Sequence, residues 1–220
     1  MRIQKLITFM LIIAFLPTII WTVQITNGYM PYMDQWTREL VIRVENTTVY
    51  EIFFTITNLG SREFLLPFVL LLTIIIRIIY RKWLPAIIFS GGTYITYKLN
   101  GWMKNLIQRE RPSILEEANA IGNSFPSGHA MISTVCYGLL AYFLTKKIKS
   151  KSKVTGIQIT LFSIIFLIGI SRYMINVHYL TDVLAGYVIG LICMVSFLFL
   201  FEISQAKQSP PQVRGKSHLQ

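Results

Sequence analysis

In the stretch SRYMINVHYLTD, residues 171–182, Arg172 closes one apolar run while His178 and Asp182 open the next. A spacing of four is one helical turn, so the last two side chains are expected on one helical face. Asp182 lies about one turn inside its apolar segment, where an unpaired carboxylate costs roughly 2.5–3.5 kcal/mol on insertion scales. The imidazole supplies a partner. The carboxylate accepts from one ring nitrogen, and the other nitrogen is left as a nucleophile or base. A structural His–Asp pair between helices fits the same spacing.

Two more clusters lie upstream. GWMKNLIQRERPS, residues 101–113, sets Lys104 and Arg111 seven residues apart. On a continuous helix they would share a face two turns apart, with Arg109 off that face and Pro112 discouraging continuation. A basic interfacial helix anchored by Trp102 would read the same way. NSFPSGHAMIST, residues 123–134, runs straight into an apolar segment. Ser127, Gly128 and His129 are thus expected at a helix N-terminus, where free N–H groups and the positive dipole end favour an anion. An ordinary Ser/Gly cap is the plain alternative. If the clusters share one side of a membrane, they hold three cations (Lys104, Arg111, Arg172), an anion nest and two histidines, one backed by a carboxylate. Phosphoryl transfer needs that set. The cations and N–H groups neutralise the equatorial oxygens, one imidazole attacks in line, and the other protonates the leaving oxygen.

The elements that must position these groups are membrane helices. The 220-residue chain is 53% hydrophobic and 14% charged, with a mean hydropathy of +0.53, too apolar for an ordinary soluble domain. Apolar stretches near 6–23, 64–80, 83–100, 129–145, 154–171 and 180–201 predict six spans. The formal charge of +11 is a topology signal rather than a nucleic-acid footprint, because 13 of the 21 basic residues, with Glu202 as the one acid, fall in the N-terminus, the links around Arg77–Lys82 and Lys146–Lys153, and the tail. Those segments are expected to be cytoplasmic and the motif-bearing loops to face outward; anionic lipids would be secondary contacts of the basic side. No small-x-small site follows the first apolar run, so it is retained as a span rather than a cleaved signal peptide. Cys136 and Cys193 sit inside apolar runs, which argues against a disulfide framework.

The long outward loop 24–63 predicts two amphipathic helices. One carries Trp36, Leu40 and Val44 as a stripe. The other opens on a Thr48-x-x-Glu51 capping box followed by Val49, Ile52, Phe53 and Ile56. Asn46-Thr47-Thr48 is a glycosylation sequon, meaningful only in a secretory-pathway host. The domain is read as residues 1–203, six spans, with 204–220 a disordered cytoplasmic tail in which His218 is a solvated residue. No internal repeat or nucleotide-binding glycine loop is present.

Lys104-x6-Arg111-Pro112, Pro126-Ser127-Gly128-His129 and Ser171-Arg172-x5-His178-x3-Asp182 resemble, in order and without a departure, the three signature motifs of the type-2 phosphatidic acid phosphatase superfamily. That resemblance implies an all-α, polytopic lipid phosphatase. His178 would be a nucleophile forming phosphohistidine, Asp182 its orienting partner, and His129 the acid for the leaving alkoxide and then the base for water. Lys104, Arg111, Ser127, Gly128 and Arg172 would hold the phosphate. It implies no metal and no other cofactor, and a lipid phosphate substrate arriving from the bilayer. The site would face outward from the plasma membrane, with no nucleic acid and no obligate protein partner. The compact size is similar to the bacterial phosphatidylglycerophosphatase B group. Phosphatidylglycerol phosphate is therefore the first expected substrate, and undecaprenyl pyrophosphate and phosphatidic acid come next. A lipid phosphotransferase, or a lipid or anion transporter that merely binds, remains an alternative.

Overall fold

The computed structural model describes residues 2–208 apart from Asn46 and Asn119, with side chains described from residue 12 to residue 207. The sequon asparagine, Asn46, and tail residues 209–220, with His218, lie outside the described residues. Among the described residues the chain forms eight α-helices: α1 (Arg2–Thr26), α2 (Tyr32–Ile42), α3 (Thr48–Thr57), α4 (Arg62–Tyr80), α5 (Trp83–Ile107), α6 (Gly128–Thr145), α7 (Lys151–Met174) and α8 (Leu180–Gln208). Short 3-10 turns cover Asn58–Gly60 and Glu116–Ala118.

The all-helical membrane architecture expected from the sequence is present. Four helices, α4, α6, α7 and α8, are long and apolar enough to cross a membrane. The other two expected spans fall on α1 and α5, which have 25 residues each. In α5, the hydroxyls of Ser90, Thr93 and Thr96 donate back to the carbonyls of Ala86, Phe89 and Gly92, which satisfies them inside an apolar helix. The helix α8 continues to Gln208, beyond the boundary at residue 203 drawn from composition.

Helix α6 is the central element: 61% of its apolar window is buried, against 11–28% in the other three. It packs on α5, α7 and α8. Two glycines one turn apart on α8 make the closest approach possible. A Cβ at Gly186 would lie 2.7 Å from the Ser127 carbonyl oxygen, and one at Gly190 would lie 2.7 Å from that of Met131. Small residues at such a crossing let two membrane helices touch backbone to backbone. This contact brings the start of α6 against the start of α8, where the Ser127 N–H donates to the Asp182 carbonyl at 3.0 Å. Connectivity then gathers the ends of α5 and α7 and the starts of α6 and α8 at one end of the bundle. The basic links Arg77–Lys82 and Lys146–Lys153 lie at the other. At that far end Phe143 and Phe201 meet edge to face at 5.1 Å, and Lys146 pairs with Glu202 at 2.6 Å.

Both helices expected in the loop 24–63 form, and the second is capped one residue earlier than the sequence suggested. In α2 the buried residues are Asp34, Thr37 and Val41, while Trp36 and Leu40 are 72% and 56% exposed. The Trp36 stripe therefore points away from the protein, and the inward face is the one that carries a carboxylate. In α3 the N-cap is Thr47, whose hydroxyl accepts from the Tyr50 N–H, rather than Thr48. Tyr50, Phe53 and Phe54 pack toward Ile175 and Val177, whereas Val49 and Ile52 stay exposed.

Candidate active site

The three motif segments meet at the end of the bundle formed by the start of α6 and the start of α8. The helix α5 ends at Ile107, capped by Gln108 in the left-handed region with φ of 51°. Lys104 is thus in the last helical turn and Arg111 lies beyond it, so the two do not share a helical face as the spacing had suggested. They converge through the loop instead. The Lys104 Nζ donates to the Asn123 carbonyl at 2.8 Å, and Arg111 Nη2 reaches the same oxygen at 3.3 Å. Arg111 is further held by the carbonyls of Gly122 and Val177 at 2.9 and 2.8 Å.

Ser127 is the N-cap of α6, so Gly128 and His129 occupy its first turn as the sequence predicted. Asn100 of α5 donates to the Pro126 carbonyl at 3.1 Å and sits under Gly128, where a Cβ would come within 2.8 Å of its Oδ1. A side chain at 128 would displace the Asn100 amide that bonds the Pro126 carbonyl.

His178 is not on the helical face shared with Asp182. It lies in the loop two residues before α8, yet its Nδ1 is 3.2 Å from Asp182 Oδ2. The reason is a cap. Asp182 is the third residue of α8, and the same oxygen accepts the Tyr179 N–H at 3.0 Å, the reciprocal bond an acidic residue makes at this position. The carboxylate that closes the helix start therefore also holds the imidazole. The other ring nitrogen, Nε2, is 3.0 Å from Arg111 Nη1.

Arg172 closes α7 fully buried, its Nη1 donating to Thr57 Oγ1 at 2.9 Å and to the Ala118 carbonyl at 2.8 Å. Its Nε and Nη2, and Nε2 of His129, are buried with no partner among the described residues. Arg172, Lys104, Arg111 and His129 are all within electrostatic reach of His178. Burial, aided by Arg111, Lys104, Arg172 and His129, pushes the His178 imidazole well below its usual 6.5, so the ring is neutral at neutral pH. Burial also draws Arg111 down to about 10, with Asp182 opposing, so that guanidinium stays charged. A chain with two Arg172 donors unpartnered among the described residues, a charged Arg111 beside Lys104, a helix start and a neutral imidazole can accept a tetrahedral oxyanion and attack it.

The lowered His178 value has a consequence for folding. Between 6.5 and the folded value, the unfolded chain binds a proton that the folded one does not, so this contribution is complete above pH 6.5 and declines as pH falls below it. The melting midpoint in micelles is expected to drop on acidification below 6.5, and His178→Gln to flatten that slope. An unaltered slope in the variant would contradict a neutral buried imidazole.

Several residues of the site escaped the sequence reading. Arg109, set aside as off the helical face, is 8% exposed and bonds Asp182 and Asp34 together. Thr57, Asn100 and Asn123 hold motif residues in place, and Thr181 holds Asp34 and Arg109. Only Asp34 and Arg109 carried a usable signal, as charges on an amphipathic helix and beside a span. Among the described residues no three His, Cys, Asp or Glu side chains cluster as metal ligands.

A family model described as the PAP2 superfamily matches residues 85–205, which include all three motif segments. The phosphatidylglycerophosphatase B of Bacillus subtilis (strain 168) is 30% identical over 163 residues, covering 72% of this chain and 78% of that protein. The crystal structure of a transmembrane PAP2-type phosphatidylglycerolphosphate phosphatase from Bacillus subtilis superposes with a TM-score of 0.72 at 26% identity. It covers 90% of this chain and 98% of that one.

Proposed function

The chain belongs to the PAP2 superfamily, and we propose that it hydrolyses a lipid phosphate monoester or pyrophosphate through a phosphohistidine on His178. Phosphatidylglycerol phosphate is the first substrate, with undecaprenyl pyrophosphate and phosphatidic acid next. The observation that carries this reading is the cluster at one end of the bundle: a neutral imidazole backed by a carboxylate, within reach of three basic side chains, with buried Arg172 donors that have no partner among the described residues.

In the proposed reaction Nε2 of His178 attacks phosphorus, the N–P bond forms and the ester P–O bond breaks, and His129 delivers a proton to the departing lipid alkoxide. Water, deprotonated by His129, then attacks phosphorus, and the N–P bond breaks to release phosphate and free His178. Lys104, Arg111, Arg172, the Ser127 cap and the N–H groups at Gly128 and His129 bind the non-bridging oxygens as charge spreads over them. Asp182 fixes the imidazole tautomer and meets its positive charge as phosphorus is attacked. No step draws on a metal or other cofactor.

The lipid chain has a place to lie. An apolar groove of about 610 Å³ runs between α6, α7 and α8, along Thr134, Gly138, Phe162, Phe166, Leu191 and Met194. Thr134 is five residues beyond His129 on the same helix, so an acyl or prenyl chain in this groove would hang below its own head group. The charge distribution supports six spans in the plasma membrane, both termini cytoplasmic and the site on the outer side. The test is phosphate release by purified protein in defined micelles, over a panel of the three lipids. Stoichiometric free phosphate is expected, fastest from phosphatidylglycerol phosphate. Phosphate appearing instead on an added alcohol would make the enzyme a transferase, and no turnover of any lipid would overturn the reading.

A further inference from the structure

A buried chain of charges runs behind the imidazole and begins on an outer helix. Asp34 of α2 is 2% exposed and Asp182 of α8 fully buried, and Arg109 lies between them. Arg109 Nη2 donates to Asp34 Oδ2 at 2.7 Å, and Nη1 donates to Asp182 Oδ1 at 2.5 Å and to Thr181 Oγ1 at 2.9 Å. Its guanidinium lies 3.9 Å over the Tyr179 ring. Asp34 is itself pinned to the start of α8, accepting the Thr181 N–H at 3.0 Å and the Thr181 hydroxyl at 2.6 Å.

We propose that Arg109, clamped by Asp34, is a positioning residue for the reaction: it fixes the Asp182 carboxylate in the one rotation that turns Oδ2 to His178. The inference rests on the nucleophilic role of His178 proposed above. The geometry divides the labour of the carboxylate. Oδ2 serves the imidazole and the Tyr179 N–H, and neither bond fixes the partner oxygen. Oδ1 is held by Arg109. A guanidinium is the group for this place, because its fork can bond two carboxylates at once in fixed directions and its flat face can stack on Tyr179. An ammonium offers a point charge without that plane. The charge balance points the same way. Two carboxylates and one guanidinium leave a single negative charge behind the imidazole, which is neutralised when the ring becomes cationic on phosphorylation. Without Arg109, two buried carboxylates would face each other, and Asp182 would rotate or take up a proton. Asp34 extends the clamp to α2, which explains why that helix buries a carboxylate.

The test is a cycle of kinetics on full-length protein in micelles, using the lipid that wild type hydrolyses fastest. Arg109→Gln is expected to lower kcat by about 10–100-fold with KM changed less than about threefold, the split for a group that acts in the transition state. In an Asp182→Asn background the same change is expected to cost less than about threefold, because Arg109 acts through Asp182. Wild-type kcat in Arg109→Gln, or the same factor in both backgrounds, would overturn the inference, since damage to the fold alone adds independently. Losing a partner inside a buried ion network can prevent folding. Should Arg109→Gln not purify as a folded protein, Asp34→Asn enters the same cycle. It keeps the guanidinium but loosens its clamp, with an expected loss of about 3–10-fold in kcat that vanishes with Asp182→Asn. Equal losses in both backgrounds would again overturn it. Failure of the wild type to release phosphate from any lipid would instead sink the functional reading, and this inference with it.

Discussion

His178→Ala is expected to remove phosphate release, by about 10³–10⁶-fold, while leaving a folded protein that still binds vanadate or tungstate. The size follows from the role. Covalent catalysis splits one displacement into two easier ones, and with the nucleophile gone only the slow direct attack of water on a held phosphate remains. The expectation of an intact fold rests on geometry. His178 lies in the loop before α8, and Asp182 keeps its bonds to Arg109 and the Tyr179 N–H when the ring is removed. Arg111 loses its contact with Nε2 but retains the carbonyls of Val177 and Gly122. The anion grip therefore survives, and vanadate affinity should shift far less than rate. Wild type mixed with labelled lipid should form an acid-labile phosphoenzyme that the variant lacks. A variant that turned over at the wild-type rate would show that phosphate leaves by another route. A variant that lost both turnover and vanadate binding would place His178 in the grip rather than at the point of attack.

What the sequence made legible was local. Ser127 as a helix cap, Gly128 and His129 in the first turn and a His–Asp contact across four residues follow from short-range spacing, and all are present. Spacing failed where the chain leaves a helix. Lys104 and Arg111 converge through a loop carbonyl because Gln108 ends α5 before Pro112 is reached. His178 meets Asp182 through a cap rather than along a helical face. What could not be read were partners far apart in sequence. Asp34 and Arg109 are 75 residues apart, and Thr57 and Arg172 are 115 apart. Periodicity in α2 marked the Trp36 stripe without fixing which way it points. In a membrane protein the apolar face can turn to lipid and the polar face inward, and α2 buries Asp34 while Trp36 stays exposed.

The same buried polar interior bears on Asp182→Asn, for which a loss of about 10²–10⁴-fold in kcat is expected with little change in KM. The substitution preserves shape and changes only which atoms accept. Asp182 presents two acceptors, one to the Arg109 guanidinium and one to the His178 ring and the Tyr179 N–H. An asparagine has one acceptor and one donating nitrogen. With the nitrogen toward Arg109, two donors oppose each other in a site from which water is excluded. With the nitrogen toward His178, Nδ1 must accept, the ring proton moves to Nε2, and the nitrogen that should attack phosphorus no longer carries a lone pair for it. Either placement also removes the negative charge that meets the imidazolium as the N–P bond forms. Substrate binding draws on Lys104, Arg111, Arg172 and the start of α6 instead, so KM is expected to hold within a few-fold. Single-turnover measurements should place the loss in formation of the phosphoenzyme, upstream of its hydrolysis. A normal rate of phosphoenzyme formation with slow breakdown would move the role of Asp182 to the second step, and unchanged kcat would remove it from the mechanism.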